Sequence, residues 1–204
     1  FVTILIFRKE IDMKLLEDRI LKDGHIGADY VLKVDSFLNH QIDVSFVCEL
    51  GKEFYRLFKD ENITKILTIE ASGIGIACIA DQYFGVPVVF AKKTKTINIY
   101  SDTYNATVHS YTHKRDYDIV VSKEYLSKED NVLINDDFLA KGSAVTALLM
   151  LIEKAGAKTA GAGIVIEKAY QGGGNLVRDM GIRVESLAKI KSISKKDGIV
   201  FCKQ

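Results

Sequence analysis

The stretch that most restricts what this chain can become is VLINDDFLAKGSA, residues 132–144. Its branched apolar run reads as a short, fully buried strand. The strand stops at two adjacent carboxylates, Asp136 and Asp137, and a loop of mostly small residues follows, Ala140, Lys141, Gly142, Ser143 and Ala144. The loop opens into the apolar helix AVTALLMLIEKAG. A strand that ends in acid and turns through glycine into a helix N-terminus makes an anion cradle, because small residues let backbone N–H groups approach and the helix adds its positive end. Two ionised carboxylates side by side repel, so they need a metal, hydroxyl groups or a cation. A plainer reading is a helix-capping pair on a solvated loop. The spacing matches neither GxxxxGK[ST] nor GxGxxG, which excludes the common nucleoside-triphosphate and dinucleotide loops.

The rest of the sequence supplies a setting for such a cradle. KILTIE (65–70), PVVFAKK (87–93) and AGAGIVIEK (160–168) read as buried strands, and ASGIGIACIADQYFG (71–85) as a turn running into a helix. Strands alternating with helices through residues 65–168 specify a mainly parallel sheet flanked by helices. In such sheets ligands bind beyond the C-terminal strand ends. Four ends therefore collect polar residues: Glu70 with Ala71, Ser72 and Gly73; Lys92 and Lys93; Asp136 and Asp137; and Glu167 with Lys168.

Upstream, residues 13–24 carry a helical stripe ending in Gly24, residues 26–34 are strand-like, and DSFLNHQID (35–43) is a polar-aromatic loop. Residues 44–63 form a long helix with Val44, Val47, Leu50, Phe54, Leu57 and Phe58 on one face. Residues 94–116 are rich in Thr, Ser, Tyr and Asn without helical periodicity, the composition of paired antiparallel strands or a mobile hood over a site. DIVVS (118–122) is a short strand, AYQGGGNLVRDMG a glycine turn with a short helix, and RVESLAKIKSI and GIVFCK are terminal strands.

Composition narrows the function classes. A net charge of +1 leaves no global field for nucleic acid or a membrane surface, so anion binding must be local. Cys48, Cys78 and Cys202 form no CxxC cluster and read as reduced thiols of a cytoplasmic protein, the first two mostly buried. His109 and His113 lie four apart on a strand-like stretch, where the alternation keeps them from acting as paired zinc ligands. The opening FVTILIF is too short to span a bilayer. Residues 1–12 read as an N-terminal extension, and residues 13–204 as a single domain.

The stretch VLINDDFLAKGSA resembles the 5-phosphoribosyl-1-pyrophosphate (PRPP) motif of the type I phosphoribosyltransferases. VLKVDSFLNHQID, ITKILTIEASGI, GVPVVFAKK, AGIVIEKAYQGG and GIRVESLAKI resemble, in order, the bacterial members of that family that act on xanthine. The resemblance covers nearly all of residues 13–190. It implies the family's fold, with a flexible hood and a small base-binding hood subdomain, and a purine-salvage reaction: phosphoribosyl transfer from PRPP to N9 of xanthine, giving XMP and pyrophosphate.

The resemblance also implies roles. Asp136 and Asp137 are the catalytic acids on the ribose hydroxyls; Ala140, Lys141, Gly142, Ser143 and Ala144 wrap the 5-phosphate; Ser72, Gly73 and Lys92 or Lys93 meet the pyrophosphate. Residues 94–110 form the hood. Leu32, Asn39 and Lys168 take the base, Lys168 donating to the 6-oxo group that adenine lacks and Asn39 meeting the 2-oxo edge. Mg2+ is held mainly by PRPP, with no protein metal ligands, and the protein is a homodimer with no nucleic-acid or membrane partner. Two departures stand out: Asn135, where the family has a branched apolar residue, and Lys141, where it has asparagine. The alternatives are another purine as acceptor, or a PRPP-sensing regulator of the same fold.

Overall fold

A computed structural model describes residues 14–27, 30–94, 102–110 and 115–203. The expectations for residues 1–12, for His113, for the side chain of His109 and for the 95–101 part of the hood fall outside the described residues.

The chain runs α1 (14–23), β1 (His25–Ile26), β2 (Leu32–Lys33), a π-helical turn (Asp35–Asn39), α2 (Val44–Phe58), β3 (Lys65–Ile69), α3 (Ser72–Phe84) and β4 (Val88–Thr94). There follow β5 (Thr103–Ser110), β6 (Arg115–Ser122), β7 (Asn131–Leu139), α4 (Ser143–Ala155), β8 (Lys158–Lys168), α5 (Gly173–Asp179), β9 (Val184–Ser194) and β10 (Gly198–Phe201). Among the described residues, eight strands form one sheet in the order β10-β9-β8-β7-β3-β4-β6-β5. The five central strands β9, β8, β7, β3 and β4 are parallel, and antiparallel partners finish both edges.

Each face of the sheet is covered. On one side α4 buries Val145, Leu148, Leu151 and Ile152 against Leu67, Ile69, Val132, Ile134, Ile119 and Val121. On the other, α1, α2 and the segment 32–38 pack Leu16, Ile20, Leu32, Phe37 and Phe54 against Val165, Leu187 and Ile190. Fully burying one such side chain contributes roughly 1.5–3 kcal/mol. Gly163 makes room for the Phe54 ring on β8: a Cβ there would stand 2.9 Å from Phe54 Cδ1.

Helix α2 starts where Asp43 caps it, its carboxylate accepting from the Phe46 N–H at 3.1 Å. Val47, Leu50, Phe54 and Phe58 are buried as the periodicity requires, but Val44 at the first turn is exposed. The helix closes at Phe58 rather than 63, since Lys59, Asp60 and Glu61 have nothing apolar to bury and Asn62 turns the chain at φ 51. The strand-like 26–34 stretch resolves into the short β1–β2 pair, and the 35–43 loop begins with the π turn, which buries Phe37 and Leu38. Cys48 is half-buried and Cys78 is exposed, contrary to expectation, because α3 buries Gly73, Ile76, Ala77, Ile79 and Ala80 and turns Cys78 away. Residues 103–110 and 115–122 pair antiparallel, so the 118–122 strand is longer than its apolar run. The Lys154 ammonium donates to the Asn105 carbonyl at 2.6 Å and ties this hairpin to α4.

Candidate active site

Parallel pairing sets the strand ends level. Ile69 of β3 lies beside Ala91 of β4, Leu67 beside Ile134 of β7, and Leu139 of β7 beside Glu167 of β8. The residues that follow, 70–73, 92–93, 136–142 and 167–168, therefore gather along one edge of the sheet. The acid pair does not terminate its strand as expected: β7 continues to Leu139, with Asp136 and Asp137 inside the ladder. A parallel neighbour in β8 runs the full distance, so the ladder has no reason to stop at the acids.

Both acids are buried, Asp136 4% and Asp137 7% exposed. The Asp136 carboxylate accepts the Asp137 N–H at 3.0 Å, and that of Asp137 accepts the Phe138 N–H at 2.8 Å. Burial, followed by the Asp137 charge, pushes the Asp136 carboxyl well above its ordinary range; Lys93 pulls the other way and does not win. A buried carboxylate left so poorly compensated is a site waiting for hydroxyl donors or a cation.

Two helices point bare N-termini at this edge. α4 begins after Gly142, which has φ 90, and no side chain caps it. Ser143 and Ala144 are already inside the helix, so the loop proper is 140–142. α3 begins at Ser72, again without a side-chain cap and with no acid in its first turn. α2, by contrast, is capped by Asp43. An omitted cap costs about 1 kcal/mol, and the free N–H groups favour an anion. Gly73 brings α3 close to the acids: a Cβ on it would overlap Thr68 Oγ1 and stand 2.8 Å from Asp136 Oδ1.

The two candidate lysines of β4 part company, because neighbours on a strand face opposite ways. The Lys93 ammonium lies 5.4 Å from the Tyr117 ring centroid and acts electrostatically on Asp136. Lys92 lines an apolar groove of about 400 Å3 on the other face with Phe90, Val120 and Tyr125. Lys93 joins the acids and Lys92 does not.

At the far end of the same edge stands Lys168, its ammonium 4.7 Å from the Phe138 ring centroid. Burial lowers its pKa, with Asp137 opposing. Leu32 and Phe138 both contribute to the apolar packing on the α1–α2 side of the sheet. Asn39 ends the π turn, and its amide oxygen is buried without a partner among the described residues. Arg19 holds that turn in place: its guanidinium lies 5.0 Å from the Phe37 ring centroid and 5.1 Å from that of Phe46, and donates to Asp43 at 2.9 Å. The departure at Asn135 finds half a solution. Its amide nitrogen donates to the Gly163 carbonyl at 2.8 Å, while its fully buried oxygen has no partner among the described residues.

Thr68, Tyr117 and Arg178 had no sequence signal, and Glu167, one of the strand-end residues, had none for its pairing. Thr68 sits inside an apolar strand with its hydroxyl buried and unpartnered among the described residues. Tyr117 packs beside Lys93, and burial and the Asp136 charge raise its pKa. Glu167 is buried in a two-pronged pair with Arg178, at 2.9 and 2.7 Å, and accepts from Ser186 at 2.6 Å. The run Gly172–Gly174 was legible as a turn but not as the seat of α5 against the 140–142 loop, where the Gly173 N–H donates to the Ala140 carbonyl at 3.0 Å.

Residues 34–185 match the phosphoribosyl transferase domain family. The xanthine phosphoribosyltransferase of Lachnoclostridium phytofermentans is 57% identical over 188 residues, covering 92% of this chain and 97% of that protein. The enzyme of the same name from Ruminiclostridium cellulolyticum is 58% identical over 181 residues, covering 89% and 95%. Among solved structures, adenine phosphoribosyltransferase from Trypanosoma brucei, in complex with AMP, pyrophosphate and ribose-5-phosphate, superposes with a TM-score of 0.74 at 15% identity over 90% of this chain and 83% of that one. The Giardia lamblia enzyme complexed with 9-deazaadenine gives 0.70 at 21% identity, covering 85% and 97%. At such identities these two speak for the fold alone.

Proposed function

The chain belongs to the phosphoribosyltransferase family, and on that premise we propose that it transfers the 5-phosphoribosyl group of PRPP to N9 of xanthine, releasing pyrophosphate and forming XMP. The observation that carries the choice of base is the 57% identity to a xanthine phosphoribosyltransferase over nearly the full length of both chains. The curated relatives at 52–58% identity share that activity in their names. The acceptor side agrees with it. Lys168 is a cation stripped of part of its water, suited to donate to a 6-oxo group, and the unpartnered amide oxygen of Asn39 can accept a ring N–H.

In the reaction the N9 lone pair forms a bond to C1 of the ribose as the bond from C1 to the pyrophosphate oxygen breaks, both electrons of that bond leave with pyrophosphate, and the imidazole N–H proton of xanthine passes to pyrophosphate or water. Positive charge grows on the sugar, so positioning and charge stabilisation do most of the catalysis. Asp136 and Asp137 hold the 2- and 3-hydroxyls, donors added to the one backbone N–H that each already accepts. Ala140, Lys141 and Gly142, with the N–H groups of Ser143 and Ala144 at the start of α4, take the 5-phosphate. Ser72 and Gly73 at the bare start of α3, and Lys93, take the pyrophosphate. Leu32 closes on the base.

The poorly compensated acids also suit the divalent cation with which phosphoribosyltransferases generally use PRPP. When bound with PRPP the cation would neutralise pyrophosphate charge, and Asp136 and Asp137 would be the residues to help hold it. Among the described residues no group of three or more His, Cys, Asp or Glu is arranged to hold a metal, and no helix is long and apolar enough to cross a membrane. The enzyme acts in the cytoplasm as a homodimer.

The test is a substrate panel with purified protein, PRPP and Mg2+. Xanthine turns over in preference to hypoxanthine, guanine and adenine. Comparable use of adenine would remove the argument from Lys168, and retention on DNA in place of turnover would favour a regulator.

A further inference from the structure

Glu167 and Arg178 lie outside every role assigned so far, yet their contacts run to both halves of the site. Glu167 ends β8 immediately before Lys168, and on the sheet it sits beside Leu139, the residue before Ala140. It is 2% exposed, and its carboxylate is filled by three donors: both prongs of Arg178 and the Ser186 hydroxyl. Arg178 reaches it from α5 and also donates to the Val184 carbonyl of β9 at 3.3 Å. Between this pair and the 140–142 loop lie two glycines. A Cβ on Gly174 would overlap the Glu167 carboxylate and stand 2.6 Å from Arg178 Nη1. A Cβ on Gly173 would overlap the Ala140 oxygen and the Gly142 nitrogen, and stand 2.5 Å from the Lys141 carbonyl carbon. The ion pair therefore fixes α5, and α5 lies directly on the backbone of the loop, with Leu176 reaching over it.

A staple needed only for the fold has no need to connect these particular points. We infer that Glu167 and Arg178 are positioning residues that set the 140–142 loop and Lys168 at a fixed separation, so that the 5-phosphate and the base are held at the distance C1–N9 bond formation requires. The inference rests on the proposed roles of that loop and of Lys168. A two-pronged arginine–carboxylate pair fixes orientation as well as distance, which a lysine or an uncharged partner does less well. Misplacement of about 1 Å at a reacting centre costs up to two orders of magnitude in rate.

The experiment compares Arg178→Met, Arg178→Lys and Glu167→Gln with wild type and with Arg183→Met. The last removes surface pairs with Glu61 and Glu185 away from the loop. For each variant, the Kd for PRPP with Mg2+ and no base is measured by calorimetry, alongside KM for each substrate, kcat and Tm. In Arg178→Met, the Kd for PRPP and the KM for xanthine both rise at least 10-fold. Arg178→Lys recovers part of both, and Arg183→Met leaves both within twofold. Glu167→Gln, which keeps the shape of the side chain, gives a smaller rise in the same two constants. It decides the matter with Arg178→Lys should Arg178→Met not fold. The inference is overturned if Tm falls while both constants stay within twofold, or if only one moves. If wild type prefers a base other than xanthine, the proposed activity fails, while the PRPP Kd still decides whether the pair positions the loop.

Discussion

Replacing Lys168 with methionine separates the acceptor side of the site from the donor side. Methionine keeps the length and apolar stem but removes the charge and the donor. The ammonium is partly desolvated, with its pKa lowered by burial, and stands 4.7 Å from the Phe138 ring centroid with Asp137 nearby. A hydrogen bond from a charged group is worth about 1.5–3 kcal/mol, and each 1.36 kcal/mol is tenfold, so kcat/KM for xanthine falls by about 10- to 150-fold. Adenine presents no oxygen at that position, so any slow adenine turnover stays within about threefold, and selectivity collapses from the xanthine side. Stability scarcely moves. The lost ammonium–ring contact of about 0.5–1 kcal/mol is offset by relief of burial, which leaves Tm within about 4 °C. The assay is steady-state kinetics with both bases, with the PRPP Kd from calorimetry. A xanthine kcat/KM within threefold of wild type refutes the role of Lys168. An equal loss of PRPP affinity shows instead that the substitution disturbed Asp137.

Asp136→Asn trades function for stability. Activity falls about 100-fold or more because an amide accepts ribose hydroxyls less well. At pH 7 the fold gains on the order of 1 kcal/mol, because a charge that burial and Asp137 disfavour is gone, and Tm rises by about 2–4 °C. The pH profile carries the same sign: with its folded pKa raised, Asp136 weakens the fold as pH rises from its unfolded value near 3.8, and Asp136→Asn removes that slope. Glu167 behaves oppositely. Burial works to raise its pKa, but Arg178 and Ser186 hold it below the usual 4.5, so the stability it contributes is present above that value and is lost as pH falls through the lowered one; Arg178→Met flattens that acid limb in a urea titration. Gly163→Ala puts a methyl 2.9 Å from Phe54 and 3.3 Å from the Asn135 amide, costing about 1–3 kcal/mol, read as a Tm drop of several degrees with kcat nearly intact.

The strands and helices of the parallel core were legible because period and punctuation agree there: β3, β4, β7 and β8 are short apolar runs, and Gly85 and Gly156 close α3 and α4 at positive φ. Lys168 was singled out because β8 ends where its apolar run meets charge, whereas Asp136 and Asp137 were expected at a strand end and lie inside the β7 ladder. What escaped depends on distance across the fold. Glu167 and Arg178 are eleven residues apart, a spacing neither a helix nor a strand brings together, and only the seating of α5 on the loop joins them. Cys78 looked like core because its helix is apolar nearly all round, yet packing buries only part of that surface. Lys92 and Lys93 were indistinguishable until the β4–β6 register gave each a face.

The distribution of unmet demands along the strand ends orders the site. Asp136 has the Asp137 N–H set against burial and a neighbouring carboxylate, α3 and α4 lack side-chain N-terminal caps, and the Asn39 oxygen lacks a partner among the described residues. Elsewhere Asp43 caps α2, and Asp130 is filled by Lys65, Ser127 and Thr64 at the opposite end of the sheet, although the Asn135 oxygen and the Thr146 hydroxyl have no partner among the described residues. Each unmet group costs stability in the free protein. Together they ask for a molecule with two anionic ends, hydroxyls between them, and a planar ring bearing N–H and oxo groups. Such a ligand stabilises the fold in proportion to the demands it meets. PRPP with Mg2+ thus raises Tm in wild type more than ribose 5-phosphate does, since only PRPP also reaches α3. In Asp136→Asn, where one demand has been removed from the protein itself, the increment from PRPP shrinks while the ligand-free Tm rises. Equal increments in the two proteins would show that Asp136 meets nothing on the ligand, and that its burial has another cause.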